Sequence, residues 1–99
     1  MSKFAKLESH LQRELSSLIA GLRDPRVRGV VTVEEVHVAG DGRSAEVLVS
    51  TLEDEAVEDL LDALNGASGH LQREVAADLK LRYTPKLTFQ RGRPTDFGA

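Results

Sequence analysis

The apolar residues in the second half of the chain hold one helical register across a pair of glycines that interrupts it. Val57, Leu60, Leu61 and Leu64 stand at i, i+3, i+4 and i+7, and Leu71, Val75 and Leu79 resume the same face beyond Asn65-Gly66-Ala67-Ser68-Gly69. A glycine in a helix interior costs roughly 1 kcal/mol relative to alanine, so one unbroken helix gains nothing from carrying two. The residues alone leave two readings open. One is an imperfect helix or short loop; the other is two helices meeting at a kink, with the backbone amides of the second open to an anion. On the second reading the first helix of the pair ends near Leu64. The next runs from about His70 to Leu81, before Tyr83-Thr84-Pro85 stops it.

Upstream, apolar residues at 4, 7, 11, 15, 18, 19 and 22 predict an N-terminal helix that ends near Arg23, ahead of Asp24-Pro25. Arg26 is positioned to reach back to the last carbonyls of that helix. In GVVTVEEVHV, Val31 and Val33 alternate in one phase and Val36 and Val38 in the other, which predicts a strand with a bulge at Glu34-Glu35. The turn residues Gly40, Asp41 and Gly42 supply positive φ and join this strand to SAEVLVS as a hairpin. Ser50 with Glu53 makes a capping-box signature for the following helix, whose acidic start suits a helix N-terminus. KLTFQR is a last short strand, with Leu87 and Phe89 on one side. The expected fold is α+β: helix, strand, strand, helix, kink, helix, strand, with a three-stranded sheet covered on one face by the helices. Residues 1–91 form the domain and residues 92–99 an irregular tail.

A chain of 99 residues that is 40% hydrophobic makes one core. The absence of cysteine excludes disulfides and cysteine-ligated zinc and fits a reducing compartment. No apolar run has the length of a targeting or membrane-spanning segment, so the expectation is a soluble, cytoplasmic protein. The net charge of −3 is unevenly spread. Residues 1–30 and 63–99 each carry six Lys/Arg against three acids, whereas residues 53–62 carry six acids and no base. Folding that joins the basic ends and turns the acidic segment away gives a one-sided footprint for phosphate; the alternative is an ordinary mixed surface.

The helix ending in Arg23-Asp24-Pro25-Arg26, the hairpin VTVEEV and AEVLVS, the break GASG and the run from Leu81 to Phe89 (LRYTPKLTF) together resemble bacterial ribosome-binding factor A over nearly the whole chain. The resemblance implies a type II KH-like domain, in which an Ala-x-Gly kink replaces the Gly-x-x-G loop of other KH domains. Ala67-Ser68-Gly69 fills that role, and Gly66 completes a literal Gly-x-x-G. It further implies a non-enzymatic assembly factor, without cofactor or metal. Such a factor binds the immature 30S subunit and 16S rRNA and promotes 16S 5′-end processing and maturation, notably in the cold. It is released in part by a ribosome-associated GTPase, and a monomer is expected. Family members usually have an aspartate and a serine shortly after the last strand, where this chain has Gly92 and Pro94.

The candidate RNA-binding residues are Gly66, Ala67, Ser68, Gly69, His70, Arg73, Lys80 and Arg82. The glycine segment offers backbone amides. Arg73 and Lys80, seven apart, share a helical face. With Phe4, Tyr83, Phe89 and Phe97 as its aromatics, and at least two of these expected in the core, the chain favours backbone and shape recognition over base stacking. His10, His37 and His70 are far apart and no catalytic motif or metal-ligand spacing is present. The alternative function is a small α/β interaction module that docks a basic partner through Glu53, Asp54, Glu55, Glu58, Asp59 and Asp62.

Overall fold

In the computed structural model, which describes residues 3–92, helix α1 (Ala5–Ala20) leads into strands β1 (Val31–Val38) and β2 (Ser44–Thr51). A 3-10 turn at Asp54–Ala56 follows, then α2 (Val57–Gly66), α3 (Ser68–Leu79) and β3 (Lys86–Arg91). The sheet order is β1-β2-β3, antiparallel in the first pair and parallel in the second. A parallel return needs a long crossover, and the α2–α3 pair is that crossover. The element order is the expected α+β one. The tail, Gly92 apart, and Phe97 lie outside the described residues.

One face of the sheet is apolar. Val33, Val36, Val38, Ala45, Val47, Val49, Leu87 and Phe89 are all buried there, against Leu11, Leu15, Leu64, Leu71 and Val75 from the helices. The opposite face keeps Thr32, Glu35, His37, Glu46, Thr88 and Gln90 exposed. The bulge is what makes β1 one-sided. Val33 pairs with Val49 and Glu35 with Leu48, so Glu34 is the extra residue, and without it Val36 and Val38 would turn to solvent.

Both sheet edges are partly closed by side chains from the helices. On β1, Glu8 Oε2 accepts the Val38 N–H at 2.8 Å, and Gln12 Nε2 donates to the Val33 and Glu34 carbonyls at 3.0 and 3.3 Å. On β3, Gln72 Oε1 accepts the Leu87 N–H at 3.1 Å, while Asn65 accepts the Phe89 N–H at 2.8 Å and donates to its carbonyl at 3.1 Å. An open strand edge is a template for pairing with other chains, and these four residues occupy part of each edge.

The turn after β1 requires glycine at one position: Gly42 has φ 74°, and a Cβ there would come within 3.3 Å of the Phe4 ring. Gly40 and Asp41 are not at positive φ. The Ser50–Glu53 capping box does not form. Ser50 is spent on the sheet, paired with Thr32, and its hydroxyl donates to Glu34 Oε2 at 3.3 Å. The 3-10 turn intervenes, and α2 starts after Ala56 with no side-chain cap, although Glu58 and Asp59 do occupy its first turn. Arg26 does not cap α1; its guanidinium pairs with Asp24 at 3.0 Å. Gly92 donates its N–H to Val49 O, and a Cβ there would lie 3.1 Å from Glu34 Cγ, so the space beside the bulge suits glycine.

Between α1 and α3, Glu14 meets Asp78. Its hydrogen bond to Asp78, with lesser help from desolvation and the like charge, holds the Glu14 carboxyl above its ordinary pKa. A carboxyl whose pKa is higher in the folded than in the unfolded state favours folding at low pH. That contribution is lost as pH rises through the folded value. Glu14→Gln is therefore expected to melt higher than the parent at neutral pH and to match it below the ordinary carboxylate range. A melting difference that does not change with pH would remove this pair as its cause.

Candidate nucleic-acid interface

The kink is one residue wide. Ala67, at φ −95° and ψ 4°, shares its N–H between the Ala63 and Leu64 carbonyls at 3.0 and 3.1 Å, and its own carbonyl accepts the Leu71 N–H at 2.9 Å. Both helices thus continue their hydrogen bonding through Ala67, and they extend further than expected, to Gly66 and from Ser68. Neither Gly66 nor Gly69 has positive φ. A Cβ at Gly66 would meet nothing within 4 Å, and one at Gly69 would meet only Arg73 Nη1 at 3.6 Å. The glycines are not needed for the bend. Their effect is to leave the backbone bare on the outer side of the junction.

That bare backbone is the start of α3. No acidic residue lies in its first turn and no side chain caps it, in contrast to the acidic first turns of α1 (Glu8) and α2. The partial positive charge of the helix end is therefore not offset from within the helix. Gly66, Gly69, His70 and Arg73 are exposed, while Ala67 and Ser68 are half-buried. Arg73 folds back along α3 towards Gly69, so its guanidinium lies beside the bare backbone of the helix start, and among the described residues it forms no salt bridge. The N–H groups at the junction return in part to the Ala63, Leu64 and Asn65 carbonyls, so what an oxyanion meets here first is the Arg73 guanidinium, which brings charge and a planar donor pair to the helix start.

Lys80 and Arg82 are not part of that cluster. Lys80 ends α3 in the left-handed conformation (φ 54°), with the Leu81 N–H returning to the Ala76 carbonyl, so the argument from a shared helical face with Arg73 stops one residue short. Eleven residues at 1.5 Å per residue put it about 16 Å from Gly69. Both side chains are exposed. His37 faces solvent beside Glu35, at 2.9 Å, and His10 is exposed. Among the described residues no His, Cys, Asp and Glu group is arranged to hold a metal, and no helix is long and apolar enough to cross a membrane.

The acidic residues Glu53, Glu55, Glu58, Asp59 and Asp62 are exposed at the opposite end of the α2–α3 pair and along α2. Arg26 lies within their field: Asp24 first, then Asp62 and Asp59, raise its pKa above the usual arginine value. Of the aromatics, Phe89 is buried, Phe4 half-buried and Tyr83 82% exposed. Tyr83, one of the four aromatics counted from the sequence, is the one that stands clear of the core among the described residues. Its signal in the sequence was its position after a helix stop, in Arg82-Tyr83-Thr84-Pro85, where no apolar period exists to bury it.

The family model for ribosome-binding factor A matches residues 3–97. Ribosome-binding factor A of Clostridium tetani is 38% identical over 102 residues, covering 99% of this chain and 84% of the relative. The crystal structure of ribosome-binding factor A from Thermus thermophilus superposes with a TM-score of 0.80 at 36% identity, covering 91% of this chain and 97% of that one. A homology model of the Thermus thermophilus factor, fitted into a cryo-electron-microscopy map of its complex with the 30S subunit, superposes with a TM-score of 0.78 at 32% identity, covering 96% and 98%. The chain belongs to the ribosome-binding factor A family.

Proposed function

We propose that this protein is a non-catalytic assembly factor of the small ribosomal subunit, acting as a cytoplasmic monomer. It binds immature 30S particles through 16S rRNA, promotes 16S 5′-end processing and subunit maturation, most of all in the cold, and leaves with the help of a ribosome-associated GTPase. The α2–Ala67–α3 junction serves as the Gly-x-x-G equivalent of a type II KH-like domain. A backbone phosphate sits on the first amides of α3 and on Arg73, with His70 beside it. The observation that carries this reading is the convergence of Arg73 on Gly69 at a helix start without acidic residues, in a fold whose Thermus relative has been placed on the 30S subunit.

Gradient sedimentation of lysate tests it. The protein is expected with free small subunits and their precursors, scarce on joined ribosomes and polysomes, and stripped by salt, because phosphate contacts release counterions. Arg73→Ala should lower the salt slope of binding by about one unit, and Asp59→Ala should leave it unchanged. Sedimentation mainly on polysomes would refute the reading. A flat salt response would favour docking of a basic partner on the acidic helix.

A further inference from the structure

A groove of about 700 Å³ opens where the start of α1, the β1–β2 turn and the α3–β3 loop meet. Phe4, Leu7, Asp41, Arg43, Tyr83 and Pro85 define it. Its walls are fixed independently of any ligand. The Phe4 ring packs on Gly42, the Arg43 N–H donates to Asp41 Oδ1 at 3.0 Å, the Arg43 carbonyl accepts the Lys86 N–H at 2.9 Å, and Pro85 is buried. Tyr83, by contrast, stands almost fully in water. A large amphipathic ring left out of the core above a formed groove offers a surface on which a flat ring can stack.

The charges of the groove narrow what enters it. Arg43 and Asp41 offset each other inside, so the lining does not suit a bare phosphate. Lys80 and Arg82 supply positive charge in the segment leading into it. That is a groove of no net charge, walled by two aromatic rings, with cations at its border. We propose that this groove receives an unpaired RNA base stacked on Tyr83, with a flanking phosphate met by Arg82. The proposal rests on the rRNA reading above and gives Lys80 and Arg82 a place about 16 Å along α3 from the kink, at the far end of the helix. Stacking of this kind tolerates any base, because every base has a π-face.

Tyr83 is the chain's single tyrosine and there is no tryptophan, so its fluorescence reports on the groove alone. The full chain is titrated with a single-stranded adenosine hexaribonucleotide and with an abasic hexamer of equal charge; affinities come from the anisotropy of end-labelled probes, and co-sedimentation with isolated 30S subunits is measured in parallel. The adenosine hexamer is expected to quench Tyr83 and the abasic one to leave it unquenched and bind more weakly. Tyr83→Ala should weaken the adenosine hexamer about tenfold or more and Tyr83→Phe should hold it near the parent value. Because Tyr83 is exposed, both variants should fold, which a thermal melt checks. Arg73→Ala should weaken both hexamers alike. Equal affinity for the two hexamers, binding of neither, or Tyr83→Ala at parent affinity overturns the groove as a base site, and if 30S co-sedimentation persists the rRNA reading still stands. Loss of 30S co-sedimentation by the parent protein itself would instead remove that reading.

Discussion

Asn65→Ala is expected to lower stability by about 1–2 kcal/mol, even though alanine is the better helix former. Asn65 accepts the Phe89 N–H at 2.8 Å and donates to the Phe89 carbonyl at 3.1 Å, so alanine deletes two hydrogen bonds with net values of about 1 kcal/mol each. Helix propensity returns only about 0.6 kcal/mol of that. In a domain of this size the melting temperature should fall by roughly 5–15 °C. Gln72→Ala, which removes one bond to the Leu87 N–H, should cost about half as much. The double variant bares the outer N–H groups of β3 at two alternate residues, and concentration-dependent association should follow. A melt of Asn65→Ala at or above the parent temperature would show that water replaces these bonds without loss, and that the edge is closed by something else.

Asn65 also shows where reading the sequence stops. Apolar periodicity is a local signal carried by every residue of a helix or strand, and it placed α1, β1, β2 and β3 and even the bulge at Glu34, because Val33 and Val36 can share a face only if one residue is extra. Edge closure is a contact between residues 24 apart, and nothing beside Asn65 in the sequence announces Phe89. The Ser50–Glu53 signature failed for the same reason in reverse: a local cap competed with a place in the sheet opposite Thr32, and the sheet won. At the junction, the glycine pair located the break correctly. The reason inferred for it was incomplete, since the bend sits on Ala67 and the glycines contribute absence of side chains, which is a property of the surface and not of the backbone path. The convergence of Arg73 on Gly69 follows from a four-residue helical spacing and was legible; the left-handed turn at Lys80 that separates the second basic group was not.

Because the fold has room at Gly69, the two explanations of that glycine predict opposite outcomes. If the residue serves folding, a side chain there should destabilise the junction. The geometry says otherwise: φ is not in the left-handed region and a Cβ would make only an ordinary contact with Arg73 Nη1. Gly69→Ala is thus expected to leave stability unchanged or raise it by up to about 1 kcal/mol, through lower backbone freedom in the unfolded chain and better helix propensity. If the residue serves phosphate approach, the same methyl group stands over the amides of α3 and should weaken 30S binding about tenfold, equivalent to about 1.4 kcal/mol. A stable protein that binds poorly is the expected result, measured by melting and by co-sedimentation on the same preparation. Gly69→Val, with a larger side chain, should bind more weakly still. Arg73→Ala should lose affinity as well, and the double variant Gly69→Ala/Arg73→Ala should lose less than the two single losses combined, since both act on one bound phosphate. Strict additivity would place Arg73 on a different phosphate from the helix amides, and full binding by Gly69→Ala would take the junction out of the RNA contact altogether.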